Sequence, residues 1–158
     1  MPRGGKPSAR VRRAGVADAA TIGRLLHDFN LEFHDPTPEP DVLAERIVHL
    51  LEAGEVTVLV AGESSGLAVL RFRPSLWRDA RECYLEELYV VPDRRGEGLG
   101  RALMEAAIEV ARSEDAKDMH LATNEQDVAA RSLYESLGFS NRAGRPNGPT
   151  EYYYEREL

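Results

Sequence analysis

The residues from Leu88 to Arg101 constrain the fold more than any other part of the chain. Residues Leu88–Val91 are apolar, β-branched or aromatic, and this run stops at Pro92, as a β-strand does. From Leu99 onward, apolar residues recur at helical spacing. Between these two patterns lie three alternating glycines: Gly96, Gly98 and Gly100. The stretch therefore predicts a β-strand, a tight glycine turn and a long helix, in that order.

The start of this helix is a suitable site for a phosphate group. The first N–H groups of a helix have no intrahelical partner, and the helix dipole adds positive potential there. Glycines let a ligand approach the backbone closely, and nearby arginines can add full charges. The arginines in question are Arg94, Arg95 and Arg101. The residues alone favour a phosphate or pyrophosphate cradle, although a glycine connection without a ligand remains an alternative.

Two common nucleotide-binding patterns fit this loop poorly. A P-loop requires a Lys-Ser/Thr pair after its last glycine, and none follows Gly100. A dinucleotide-binding fingerprint requires a third glycine where Arg101 stands. An ATP-binding protein is therefore the weakest of the interpretations considered.

The pattern Arg95-x-x-Gly98-x-Gly100, with the strand ahead of it, resembles the pyrophosphate loop of the GNAT superfamily of acyl-CoA-dependent N-acetyltransferases. The resemblance implies acetyl-CoA as co-substrate and no metal. It also implies that a backbone N–H near Val90 stabilises the oxyanion formed during acyl transfer. The cofactor-binding residues that it implies in this stretch are Leu88, Tyr89, Val90, Arg95, Gly96, Glu97, Gly98, Leu99, Gly100 and Arg101.

A second motif, Leu133-Tyr134-x-x-x-Gly138-Phe139, is similar to the end of the GNAT family's last helix. In the family, this tyrosine lies near the thioester sulfur and often acts as a general acid. A phenol with a pKa of about 10 can donate a proton to the departing thiolate. The resemblance therefore implies that Tyr134 is catalytic and contacts the cofactor. The alternative is a tyrosine that only packs a helix.

Asp127 stands where many family members have an asparagine that contacts the pantetheine arm. The resemblance implies a cofactor contact at Asp127, with an acid replacing the amide. From the residues alone, Asn124 followed by Asp127 predicts a helix cap with its reciprocal partner.

The general base is expected among a few residues. Freeing the lone pair of a lysine-like amine at pH 7 costs roughly 4–5 kcal/mol, so a base must take its proton. Glu86 and Glu87 are consecutive in the central strand, and strict alternation places them on opposite faces, so at most one faces the substrate. Glu87 is favoured because glutamate is common there in the family. His120 is a further candidate, and Ala122 stands where some members carry another glutamate.

The predicted acceptor is an amine of a small molecule or a peptide. The loop after the first helix contains Glu32, His34, Asp35 and Glu39, which suits a cationic acceptor or simply a solvated loop. We expect an N-acetyltransferase that moves an acetyl group from acetyl-CoA to a primary amine by direct attack in a ternary complex. The alternative is a non-catalytic acyl-CoA-binding sensor or regulatory module.

The whole chain predicts one α/β domain with a mixed sheet. The element order is β-α-α-β-β-β-α-β-α-β-β, with the last two strands starting at Phe139 and at Tyr152. The domain is expected over residues 9–158, after a flexible tail of residues 1–8. The GNAT fold has the same order, so the resemblance extends over nearly the whole chain.

Composition excludes several classes of partner. A formal net charge of −7 argues against a general nucleic-acid binder, and no stretch is apolar enough to span a membrane. The single cysteine, Cys83, permits no intramolecular disulfide. Together with an N-terminus unlike a signal peptide, this predicts a cytoplasmic location. A homodimer is an expectation from the family alone.

Overall fold

The computed structural model describes residues 10–158. The order of its elements agrees with the sequence prediction through the last helix, and the α/β fold with a mixed sheet is confirmed. The elements are β1 (Val11–Arg13), α1 (Ala19–Glu32), α2 (Pro40–Glu52), β2 (Thr57–Ala61), β3 (Gly66–Pro74), β4 (Arg81–Val90), α3 (Leu99–Ser113), β5 (Ala116–Leu121) and α4 (Val128–Ser136). The predicted tail of residues 1–8, and the first residue of the predicted domain, lie outside the described residues.

The described chain forms two compact units, one ending at Leu121 and the other covering Ala122–Leu158. The first unit contains a sheet with the order β1-β2-β3-β4-β5. The pairs from β1 to β4 are antiparallel, whereas β4 and β5 are parallel. A parallel pair needs a long crossover connection, and α3 provides it.

The sheet of the first unit has a helix layer on each face. Apolar residues of α1 and α2 pack against one face, in a cluster that contains Ile22, Leu25, Ile47, Val58, Val60, Leu67, Val69 and Tyr89. On β3, Gly66 alternates with Leu67 and so faces the other side, where an added Cβ would lie 3.2 Å from Cδ1 of Leu103 in α3. Helix α3 therefore covers the opposite face, where Leu103 and Met104 are fully buried.

Strand β4 contains a bulge close to its middle. Val69 of β3 lies opposite Glu87, but the next residue, Leu70, lies opposite Leu85. Glu86 is therefore an extra residue in β4, of the kind that bends a strand and increases its twist. Strand β5 pairs with β4 only over the residues from Arg81 to Leu85. Beyond that point, no described strand lies along this edge of β4.

The structure differs from the sequence prediction after α4. In place of the two predicted strands it has an isolated antiparallel bridge between Arg142 and Thr150. The segment from Tyr152 onward has no regular secondary structure, and its three tyrosines are 66–86% exposed. Tyrosines favour strands because they pack on a pleated, half-buried surface. This segment has no such surface against it in the described chain, so the residue types alone do not form a strand.

Candidate active site

The glycine turn of the first unit leads from β4 into α3 as predicted. A short 3-10 turn, Pro92–Arg94, follows β4, and Gly98 is the N-cap of α3. Gly96 and Gly98 have φ angles of 78° and 84°, in the left-handed region that favours glycine. Gly98 has no side chain with which to cap α3, and a Cβ at either glycine would meet no atom within 4 Å. The 15-residue helix α3 thus starts at a glycine turn that borders open space, which suits an anion at its N-terminus.

The other predicted residues of this loop have separate positions. Leu99 is buried and can offer a ligand only its backbone. Gly100 lies in the first turn of α3. Glu97 pairs with Arg94 at 2.7 Å, and Arg101 lies 3.9 Å from Glu105 of the same helix.

Arg95 connects the end of β4 to the end of α1. Its Nε donates to the carbonyl of Val90 at 3.0 Å, and its Nη2 lies 2.6 Å from Oε2 of Glu32. Its guanidinium also lies 5.8 Å from the centroid of the Tyr89 ring. The charge of Arg95 is therefore paired within the protein, and its predicted role at the pyrophosphate stays a prediction.

The last residues of β4 present backbone N–H groups along the edge that β5 has left. The N–H of Val91 donates to Ser65 at 3.0 Å, on the β3 side. In an antiparallel pair, successive N–H groups alternate in direction, so those of Val90 and Leu88 point away from β3. Tyr89 points its N–H toward β3 and buries its ring 5.1 Å from the ring of Phe29. Of the three predicted β4 residues, Leu88 and Val90 thus have the backbone geometry to bind a ligand at this edge.

Glu86 and Glu87 lie on the same face of the sheet, so the prediction of opposite faces is wrong. Arg71 is two residues from Val69 on β3 and therefore shares its face, which is also the face of Glu87. Oε2 of Glu86 lies 2.6 Å from Nε of Arg71. The alternation fails because Glu86 is the extra residue of the bulge. Both carboxylates consequently face the α1 and α2 side.

Glu87 has the electrostatics of a base that works near neutral pH. Burial raises the pKa of its carboxyl to about 7, and the negative charges of Glu86 and Asp35 act in the same direction. Within residues 10–158, no hydrogen bond or ion pair occupies this carboxylate. A carboxylate of this pKa is present in both protonation states at pH 7, which suits proton transfer.

The remaining candidates of the first unit are placed less favourably. His120, the other base considered, is an exposed residue of β5. Of the acidic loop, Glu32 is engaged by Arg95, whereas Asp35 lies close enough to act on Glu87. Arg71 is a charged neighbour that sequence reasoning missed. Its pairing with Glu86 depends on a register with a bulge, for which the sequence gives no signal.

The second unit contains Tyr134 and Asp127. Tyr134 is a buried residue of α4, with its ring edge-on to Phe139 at 6.1 Å. Asp127 is the N-cap of α4, and its carboxylate accepts from the N–H of Ala130 at 3.2 Å. Asn124 accepts from the N–H groups of residues 126 and 127, in the turn before the helix. A helix cap is present as predicted, but its assignment was wrong: Asp127 itself is the cap, and Asn124 orders the preceding turn.

Residues 10–158 contain neither a cluster of metal ligands nor a membrane-spanning helix. Nowhere in that range do three or more His, Cys, Asp or Glu side chains lie close enough together to hold a metal ion. None of the helices in the same range is both long enough and apolar enough to cross a bilayer.

Comparison with known proteins identifies the family. Residues 22–139, which include the glycine turn, Glu87 and Tyr134, match the model of the acetyltransferase (GNAT) family. The chain belongs to the GNAT family. It is thus an acyl-CoA-dependent acetyltransferase.

Individual GNAT relatives are similar over most of the chain. An uncharacterized N-acetyltransferase of Bacillus subtilis, YhfO, is 32% identical over 137 residues, which are 85% of this chain and 91% of that protein. The thialysine N-epsilon-acetyltransferase of Bos taurus is 34% identical over 142 residues, 81% of this chain and 82% of that one. The solved structure of a candidate acetyltransferase from Arthrobacter sp. FB24 is 46% identical, with a TM-score of 0.88, and covers 99% of this chain and 100% of its own.

Proposed function

We propose that this acetyltransferase transfers an acetyl group from acetyl-CoA to a primary amine of a cationic acceptor. The proposal rests on one arrangement: the edge of β4 beyond Leu85, along which no described strand lies, runs into the glycine turn at the N-terminus of α3, and a half-buried glutamate with a raised pKa lies on the same strand. The edge of β4 and the N-terminus of α3 suit a long ligand with a phosphate group. The glutamate suits the removal of a proton from an amine.

The residues of the first unit fit acetyl-CoA as co-substrate. The N–H groups of the glycine turn and of the first turn of α3, residues 96–100, would receive the pyrophosphate, with Arg101 adding charge. The N–H groups of Leu88 and Val90 would bind the arm that carries the thioester. These backbone donors need no side-chain movement to meet the ligand. We therefore expect tight cofactor binding that tolerates side-chain substitutions at these positions.

The chemistry needs a proton acceptor and a donor for the oxyanion. Glu87, directly or through a water molecule, would take a proton from the acceptor ammonium. The amine then attacks the thioester carbonyl, and the N–H of Val90 stabilises the negative oxygen. Collapse of the tetrahedral intermediate expels the thiolate, which we assign Tyr134 to protonate because of its place in the family motif. The nitrogen loses its second proton as the amide forms, and a proton taken up by way of solvent returns Tyr134 to its neutral form. The acetyl group passes directly to the amine, without an intermediate on the protein.

The acceptor class follows from charge. An acceptor that arrives as an ammonium ion meets Glu87 and Asp35 on the α1 and α2 side of the sheet, in a protein of formal net charge −7. The bovine relative acts, as its name says, on the N-epsilon amine of thialysine. A primary amine at the end of a short cationic side chain is therefore the first acceptor to test.

The test combines cofactor binding with turnover. We would measure acetyl-CoA binding by calorimetry and thiol release from acetyl-CoA with thialysine, lysine and an aminoglycoside as acceptors. We expect binding, turnover with at least one cationic amine, and a loss of kcat in Glu87→Gln and Tyr134→Phe while acetyl-CoA still binds. The matched control is Tyr152→Phe, which removes an exposed phenol. Binding of acetyl-CoA without transfer to any of these amines would favour the non-catalytic module instead.

A further inference from the structure

An ion pair between β3 and the bulge of β4 stands next to the proposed base. Nε of Arg71 lies 2.6 Å from Oε2 of Glu86, and both side chains are about one-third exposed. This pair differs from the other β3–β4 pair, Arg73 with Glu82, because its acid is the inserted residue of the bulge. The carboxylate of Glu86 therefore lies beside Glu87 and is paired with the guanidinium of Arg71.

The bulge brings the charge of Glu86 to the face of Glu87. In a regular strand, Glu86 would face the opposite side from Glu87 and would have little effect on it. Here the two carboxylates are consecutive and share one face. The charged groups that face Glu87 are Glu86 on β4 itself, Asp35 from the segment between α1 and α2, and Arg71 from β3 through Glu86. Among the described residues of this group, only Arg71 is a cation. It therefore compensates the negative charge of Glu86, which the bulge fixes beside Glu87.

We infer that Arg71 is a positioning residue, which holds and neutralises the bulge carboxylate of Glu86 so that Glu87 can lose its proton at a working pH. Arg71 does so without touching the substrate. For its kinetic consequence, this inference rests on the proposed role of Glu87 as base. Its effect on the protonation of Glu87 can be measured independently of catalysis.

The experiment compares Arg71→Gln with Arg73→Gln. Arg73 lies on the same strand and face and pairs with Glu82 through the same Nε–Oε2 contact, at 2.7 Å, but the register between β3 and β4 is regular at that pair. We would record the carboxyl titration of Glu87 by carbon NMR in protein labelled at glutamate, and kcat/KM as a function of pH. In Arg71→Gln, the uncompensated charge of Glu86 raises the pKa of Glu87 by about one unit, at the lower end of the effect of a close charge. The value of kcat/KM then falls about tenfold at pH 6, on the acid limb of its pH profile, and stays unchanged at pH 9.

Two further variants separate charge from structure. Arg71→Lys keeps the positive charge, so it should restore the titration of Glu87 and most of the acid limb. The double variant Arg71→Gln/Glu86→Gln has neither charge, so the effect of losing Arg71 should disappear in it. A purely structural role for Arg71 would instead lower kcat/KM at all pH values and would not be rescued by removing Glu86.

The outcomes are distinguishable from failure of the proposed function. If the Glu87 titration moves in Arg71→Gln but the acid limb of kcat/KM does not, the inference stands and Glu87 is not the base. If the titration of Glu87 is the same in Arg71→Gln, Arg73→Gln and the unsubstituted protein, the inference is overturned, whatever the activity. A shift of equal size in Arg71→Gln and in the double variant would overturn it as well.

Discussion

Replacing Glu87 by glutamine should stabilise the protein at alkaline pH. Its pKa is raised from 4.5 to about 7 in the folded state, so the folded protein binds this proton more tightly than the unfolded chain does. Stability therefore falls as the pH rises through the window from 4.5 to 7, and below that window the residue has almost no effect. Two and a half pKa units correspond to an upper bound of about 3 kcal/mol at pH 8. Because the side chain is only half-buried, we expect Glu87→Gln to gain about 2 kcal/mol there, and about 0.2 kcal/mol at pH 4.

Urea unfolding at pH 4 and pH 8 measures this difference. Glu82→Gln is the control, because Glu82 is another β4 carboxylate whose pKa is lowered, chiefly by a hydrogen bond from Arg73. Its substitution should reduce stability at pH 8, opposite in sign to Glu87→Gln. The reasoning is refuted if Glu87→Gln is no more stable than the unsubstituted protein at pH 8. A gain of the same size at both pH values would also refute it, since the cause would then be packing rather than charge.

Three further sets of variants test the glycine turn, the helix cap and the bulge. Gly98→Ala forces alanine to a φ of 84°, so we expect the free energy of unfolding in urea to fall by roughly 1 kcal/mol and acetyl-CoA to bind more weakly by calorimetry. The control is Gly54→Ala, at a φ of 69° beyond the end of α2, which should lose stability alone. Asp127→Asn keeps an equally good N-cap and should leave thermal unfolding unchanged, whereas Asp127→Ala should cost about 1 kcal/mol. Deletion of Glu86 leaves β4 with regular alternation and Glu87 on its present face, so the protein should fold, as judged by circular dichroism, but lose more kcat/KM than Glu86→Gln, which keeps the bulge.

The sequence predicts the strand, turn and helix at the site well because local chemistry decides them. Three alternating glycines between a strand pattern and a helical pattern allow few other structures, and the positive φ values of Gly96 and Gly98 agree. The facing of Glu86 could not be predicted in this way. A bulge is a mismatch between two paired strands, so it depends on β3 as much as on β4. For the same reason, Tyr152–Tyr154 have the composition of a strand without a described partner to form one.

One extra residue in β4 accounts for two features of the site at once. A bulge bends a strand and increases its twist, which is consistent with β4 leaving β5 just after Leu85 and presenting the N–H groups of Leu88 and Val90. The same insertion turns Glu86 to the face of Glu87, where a like charge makes the second carboxylate harder to ionise. The backbone donors and the pKa of the proposed base are thus linked by covalent geometry. A variant that regularises the strand changes both, whereas one that only removes charge changes the pKa alone, and this difference lets the two contributions be measured separately.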